Sequence, residues 1–254
     1  MYHRILTTLC SATSLAIVFT LVSKAQQQWS WPEQTKNLQV LPKDTPSSKL
    51  RPLMGGFTRA LGVRCWYCHS GQEGKPLNTY DFASDDNPNK NRAREMLRML
   101  GSIEDHLKKI EPSGDRRVEV GCSTCHRGRP RPMTLEEELG ETYRMKGLDS
   151  ALQHYADLKE SFYGRGAYDF GERALNNFGY QVLANDATGA VRVFKSNAKE
   201  FPKSPNVWDS LADAYMKAGD PKRAKQCYGK VLKLDPQNEN AKEMLKKIKA
   251  GAEK

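Results

Sequence analysis

The chain has 254 residues, 38% hydrophobic and 28% charged, with a formal net charge of +10. That length holds one large domain or two small ones, and the composition excludes a disordered or membrane-embedded chain. The basic balance favours acidic protein surfaces or anionic lipid as contacts.

The first elements in chain order are a leader and a short polar stretch. "MYHRILTTLCSATSLAIVFTLVSKAQQQ" has a basic head at Arg4, an apolar run from Ile5 to Val22, and a small-x-small end at Ser23, Lys24 and Ala25. This is the layout of an export signal peptide spanning residues 1–25, cleaved after Ala25. The run is also about long enough to cross a bilayer, so an uncleaved segment would hold the protein at the membrane. Cys10 is followed by more apolar residues and is not read as a lipid anchor. Arg4 and Lys24 are the only charges in this leader, so the mature chain carries 10 − 2 = +8. The expected location is the periplasm, which removes nucleic acid from the expected partners.

A first helix is expected over "TPSSKLRPLMGGFTRALG", with Thr45 as cap, Pro46 in the first turn and Gly62 as the stop. Leu50, Leu53, Met54, Phe57 and Leu61 recur at intervals of three and four, the stripe of an amphipathic helix. Then comes "LGVRCWYCHS", with Cys65, Cys68 and His69. A second helix opens at Asn87-Pro88 and stops before Pro112. Its stripe is Ala93, Met96, Leu97, Leu100, Ile103, Leu107 and Ile110, with Met99 and His106 toward one edge. The first motif then returns as "GCSTCHRG", with Cys122, Cys125 and His126.

Cys-x-x-Cys-His is the attachment pattern of c-type haem. Two thiols about one helical turn apart can each form a thioether to one vinyl group, and the next histidine supplies the proximal nitrogen to iron. Two copies behind an export signal predict two covalently bound haems c. A zinc site made from both cysteine pairs is the rival, but it leaves His69 and His126 without a role. Disulfides would leave the same two histidines unexplained. Each iron needs a sixth ligand or an open position. Met54 lies on its stripe 15 residues before His69. For the second haem, Met96 competes with Met99 and His106.

"NLQVLPKD", Met54, "LGVRCWYCH", "NPNKNRAREMLRM" and "VGCSTCHRG" together resemble the cytochrome c subunit of photosynthetic reaction centres. The likeness covers roughly Asn37 to Pro132. That family carries four haems as two similar pairs, and one pair is represented here. The resemblance implies Met54 as the ligand opposite His69 and Met96, in "AREM", as the ligand opposite His126. The chain departs from the family pattern in three ways. Ile110 stands where one family half has a ligating histidine, the loop "EPSGDRRVEV" is longer, and the other haem pair is absent.

After the Pro/Arg linker "RGRPRPM" the pattern becomes repetitive. Trp208, Leu211, Ala212, Tyr215, Ala224, Tyr228 and Pro236 fall at the spacings of a tetratricopeptide repeat, a unit of about 34 residues. A second copy matches at Phe178, Ala190, Phe194 and Pro202, and a weaker first copy at Gly140, Tyr143, Ala151 and Tyr155. With a closing helix from Glu239 to Lys249, three helix pairs can form a stable stack. His154 reads as a surface residue and Cys227 as a small buried hydrophobe. From Lys217 onward the chain holds 11 Lys and Arg against 5 Asp and Glu.

The expected architecture is therefore all-α. A small dihaem c-type cytochrome module (26–132) precedes a tetratricopeptide-repeat solenoid with a capping helix (133–254). The expected function is single-electron transfer by an exported cytochrome, with redox partner proteins, membrane-bound ones among them. The repeats would dock a protein or peptide, and the basic surface would contact acidic protein or anionic membrane. No catalytic constellation is visible beyond the haems. The alternatives are a peroxidase-like dihaem enzyme with an open second haem, and a haem-based redox sensor or scaffold.

Overall fold

A computed structural model describes residues 29–110 and 118–252. The expected export segment with Cys10, and residues 111–117 of the loop before the second motif, lie outside the described residues. Among the described residues the fold is all-α, with ten helices and no strand. None of these helices is long and apolar enough to cross a membrane.

Helix α1 spans Ser47–Leu61 and ends at Gly62, whose φ of 67° is left-handed. Its start differs from expectation. Pro46 itself occupies the cap position in an extended conformation, and the Thr45 hydroxyl donates to the Pro42 carbonyl at 2.7 Å instead of capping. Proline is preset for that extended backbone and loses nothing by lacking an N–H there. Helix α2 spans Pro88–Ile110 and opens as expected, with the Asn87 side-chain oxygen accepting from the Asn89 amide at 3.0 Å. Helix α3 is the single turn Cys122–His126.

These three helices barely form a protein core. Among described residues up to Thr134, Ala60 is the only buried hydrophobic side chain. The α1 stripe of Leu50, Leu53, Met54, Phe57 and Leu61 is half-buried throughout. On α2, Leu97, Leu100, Ile103 and Leu107 are half-buried, and Ile110 is 75% exposed. α2 makes no more than marginal contact with any other helix. α1 touches α3, and both amphipathic helices keep apolar stripes that are only partly covered.

The rest of the chain is the opposite. α4 (Leu135–Lys146) pairs with α5 (Leu148–Phe162), α6 (Glu172–Leu183) with α7 (Ala187–Glu200), and α8 (Pro205–Lys217) with α9 (Pro221–Leu234). α10 (Glu239–Ala252) closes the stack against α9. Thr134, Asp186, Ser204 and Asp220 cap their helices by accepting backbone amides. Ala151, Ala190 and Ala224 occupy equivalent places in the three pairs, and each is fully buried. Small residues there let paired helices approach, while Tyr155, Phe194 and Tyr228 fill the gaps between layers. The repeats are not evenly spaced. Thirty-four residues separate Ala190 from Ala224, but 39 separate Ala151 from Ala190. The extra length lies in the connection 163–171, between α5 and α6.

The stretch expected to be a plain linker is partly packed. Arg129 is only 6% exposed, and its guanidinium donates to the Met133 carbonyl at 2.6 Å.

Candidate haem attachment site

In the first motif, residues Cys65–Tyr67 form a 3-10 turn, and the His69 amide bonds back to the Cys65 carbonyl at 3.0 Å. One helical turn therefore carries both thiols and the histidine. The carbonyls of this turn are satisfied from α2. Asn87 Nδ2 donates to Trp66 and Tyr67, and Asn89 Nδ2 donates to Tyr67 at 2.9 Å. Cys65 and Cys68 are half-buried, and burial followed by the neighbouring Cys65 pushes the Cys68 thiol pKa up.

The His69 ring is half-buried, edge-on to Phe82 with centroids 5.0 Å apart. Phe82 also stacks on Tyr80 and tilts against Trp29. Cations sit close by. Lys90 Nζ donates to the Phe82, Ala83 and Ser84 carbonyls at 3.0, 2.8 and 2.7 Å. Asp85 pairs with Lys90 at 3.1 Å and with the buried Arg94 at 2.8 Å. Burial lowers the His69 pKa, Lys90 adds to that, and the Phe82 backbone opposes it. Its Nδ1 is buried without a hydrogen-bond partner.

The second motif is α3. The Gly121 amide donates to Thr124 Oγ1 at 3.0 Å, and the turn ends with Arg127 in a left-handed conformation at φ 49°. His126 is 8% exposed, and its Nδ1 lies 2.9 Å from the Arg129 carbonyl. A carbonyl only accepts, so Nδ1 carries the proton and Nε2 keeps its lone pair for a metal. Cys122 is half-buried and Cys125 exposed.

The two motifs are cross-stitched. α1 leads into the first motif, but its C-terminus is bonded to the exit of the second, where the Gly128 amide meets the Ala60 carbonyl at 2.8 Å. α2 leads toward the second motif, but its N-terminus is bonded to the first through Asn87 and Asn89.

The expected sixth ligands lie where the sequence put them, on helices. Met54 is half-buried on α1. Met96 is 43% exposed and Met99 52% exposed on α2, with His106 exposed nearer its end. No described contact joins any of them to His69 or His126. His154 is half-buried and bonds Thr142 Oγ1 through Nδ1 at 2.9 Å, a structural role. Cys227 is buried, with its thiol pushed up to about 11 mainly by that burial, so it stays protonated and inert.

The residues present fit covalently held haem. Each motif offers two uncrosslinked thiols and a histidine on one turn. Two apolar helix faces are only partly covered by protein, as expected beside a large apolar group. Trp66 Nε1 is a buried donor with nothing to bond, and such an atom costs free energy unless a partner arrives. Zinc does not fit. Among the described residues no three His, Cys, Asp or Glu side chains converge as a bare ion needs.

Fold and site together define a c-type cytochrome module joined to a helical repeat domain. The comparisons agree. The profile of the photosynthetic reaction centre cytochrome C subunit family matches residues 22–162, more than half of the chain, and the chain belongs to that family. A tetratricopeptide repeat profile matches residues 205–238, which are α8, α9 and the turn after them. Cytochrome c-554 of Chloroflexus aurantiacus is 33% identical over 109 residues, covering 42% of this chain and 24% of that protein. The photosynthetic reaction center cytochrome c subunit of Rubrivivax gelatinosus is 32% identical over 99 residues, covering 34% of this chain and 25% of that protein. The chain thus spans about a quarter of the length of these relatives. Membership implies covalently bound haem c. The family match also runs past Pro132 through α4 and α5.

Sequence reasoning missed Arg129, Lys90 and the Asn87–Asn89 pair as parts of the site. Each acts through a backbone carbonyl distant in sequence or through its own, and such contacts leave no periodic trace.

Proposed function

We propose that this protein is an exported dihaem c-type cytochrome that passes single electrons and docks protein partners through its repeats. The observation that carries the reading is the pair of Cys-x-x-Cys-His turns, each cross-stitched to the helix that leads toward the other, whose apolar face is only partly covered by protein. Cys65 and Cys68 hold one haem, and Cys122 and Cys125 the other. His69 and Met54 would ligate the iron of the first, and His126 and Met96 that of the second. Bound in this way, haem supplies a one-electron couple whose potential a thioether ligand raises while filling the iron. The leader at 1–25 supports release into the periplasm, or membrane association if it is retained.

The repeat domain offers a cleft of about 410 Å³ between α7, α8 and α9, lined by Lys195, Lys199, Trp208, Tyr215, Arg223 and Lys230 among others, with no carboxylate. Lys230 Nζ stands 3.6 Å over the Trp208 ring. This surface suits an acidic segment of a protein partner, a redox partner included. Anionic membrane is the competing contact, and binding to acidic peptide against anionic vesicles separates the two.

A second reading leaves the second haem without Met96 as a firm sixth ligand. A loosely held sixth ligand would open the second haem to small molecules and make the protein a peroxidase-like enzyme. Haem counting on the denatured protein, with carbon monoxide binding on the native one, tests both readings. Two covalent haems that ignore carbon monoxide support the carrier. Immediate binding at one haem favours the enzyme, and a haem-free protein sinks both.

A further inference from the structure

The longer connection between α5 and α6 puts Tyr168 directly on the cytochrome module. The Arg129 guanidinium lies 3.8 Å over the Tyr168 ring. The Tyr168 hydroxyl donates to Glu138 Oε2 at 2.7 Å, and Glu138 stands 3.8 Å from the same guanidinium. Tyr168 is itself fixed edge-on by Phe162 and by Phe170, with centroids 5.5 and 5.9 Å away. So α4 and the 163–171 connection grip a side chain that belongs to the segment after the second motif.

The same residue touches the proximal histidine with its backbone. The Arg129 amide donates to the His126 carbonyl at 3.0 Å, and the Arg129 carbonyl accepts from His126 Nδ1 at 2.9 Å. Arg127 and Gly128, between them, are both left-handed, at φ 49° and 82°. This turn is not a helix continuing under its own hydrogen bonds. Beyond the amide bond to His126, the Arg129 side chain is fixed at its far end. Arg129 is nearly fully buried, and its guanidinium is held by the Tyr168 ring, by Glu138 and by the Met133 carbonyl. A planar cation stacked on a tyrosine beside a carboxylate is held more firmly than a lysine would be.

We propose that the repeat domain tunes the second haem: Tyr168 and Glu138 are positioning residues that hold Arg129 so that its carbonyl keeps the hydrogen bond to His126. Donation from Nδ1 makes the imidazole a better electron donor, which favours ferric iron and lowers the potential. His69, whose Nδ1 has no such partner, lacks this device. The inference rests on the reading that haem is attached at Cys122 and Cys125.

The test uses the full-length holoprotein and two readouts: redox titration of each haem, and solvent exchange of the His126 Nδ1 proton by nuclear magnetic resonance. Tyr168→Ala should raise the potential of the second haem and speed that exchange, leaving the first haem unchanged. Tyr168→Phe keeps the ring and should stay close to native. Glu138→Gln keeps the volume and should shift the second haem the same way by less, which covers the case where Tyr168→Ala fails to fold. Val231→Ala, in the distant core of the last pair, should lower thermal stability and move neither potential. The proposal is overturned if Tyr168→Ala and Glu138→Gln leave potential and exchange as they were, or shift both haems alike. A native protein with no haem on Cys122 and Cys125 sinks the attachment reading itself, and this inference with it.

Discussion

The Ala60 carbonyl accepts the Gly128 amide at 2.8 Å, which brings the end of α1 against the exit of the second motif. Gly62 sits at this crossing. Its φ is 67°, and a Cβ placed there would collide with the Gly128 carbonyl oxygen. Two separate constraints therefore demand glycine, one conformational and one steric. The left-handed conformation alone costs a larger residue about 1–3 kcal/mol, and a backbone oxygen cannot swing aside as a side chain can. Gly62→Ala should destabilise the cytochrome module by at least ~2 kcal/mol and leave the helicity of the repeat domain intact. Denaturant unfolding followed through haem absorbance and through far-ultraviolet circular dichroism would show it. Coincident, unshifted transitions would count against the crossing.

Attachment is tested by replacing each cysteine pair with serine. Loss of Cys65 and Cys68 should remove one covalent haem and spare the other, and loss of Cys122 and Cys125 should do the reverse. Intact mass after denaturation reads the count directly. A protein that keeps two haems through both changes refutes the assignment. Because Ala60 is the only buried hydrophobic side chain among the module's described residues, each loss should also cost much of its thermal stability.

Ligation of the second haem is decided by Met96→Ala against His106→Ala, with Met99→Ala as the third arm. Met96→Ala should lower the potential of that haem and leave it open to carbon monoxide, because thioether ligation favours the ferrous state. The first haem should barely change. The assignment fails if Met96→Ala leaves six-coordinate iron at its original potential while one of the other two perturbs it.

The two haems should titrate separately. Lys90 and Arg94 beside the first motif are both paired with Asp85, and Arg129 lies beside the second, so the hydrogen bonds of the two histidines set the order. His126 donates a hydrogen bond that favours the ferric state, whereas His69 Nδ1 does not. With matched sixth ligands, the haem on His69 should have the higher potential. Redox titration of single-haem variants gives the order, and a lower value for the His69 haem would contradict the hydrogen-bond effect described above.

Asp85 gives the cytochrome module an acid sensitivity. Its hydrogen bond from Arg94 first, then those from Asn37 and Lys90, hold its carboxyl well below the ordinary value of 3.8. A depressed folded-state pKa contributes stability above the unfolded value, and that contribution is lost as pH falls from 3.8 through the folded one. The group is solvent-accessible, so the effect is modest and screened by salt. Asp85→Asn should flatten the pH dependence of unfolding below 3.8. An unchanged acid limb would mean that other carboxylates carry it.

The residue pattern alone determined the helices, the two Cys-x-x-Cys-His turns and the repeat stack. These are local or periodic features: cysteine spacing within one turn, apolar stripes at three and four, and alanines and aromatics returning at fixed places. Even the capping error at Thr45 shifted α1 by a single residue, because proline can serve on either side of a helix start. Only the tertiary structure decided what joins the parts. Arg129 reads as one more charge in a Pro/Arg linker, yet it is buried between His126 and Tyr168. Gly62 reads as a helix stop, yet it is also a contact with Gly128. The five extra residues between Ala151 and Ala190 look like loose repeat spacing until Tyr168 is seen to lie on Arg129. Hydrogen bonds to backbone carbonyls and rings stacked on cations have no sequence period. They depend on where the folded chain brings distant residues together, and that is set by packing.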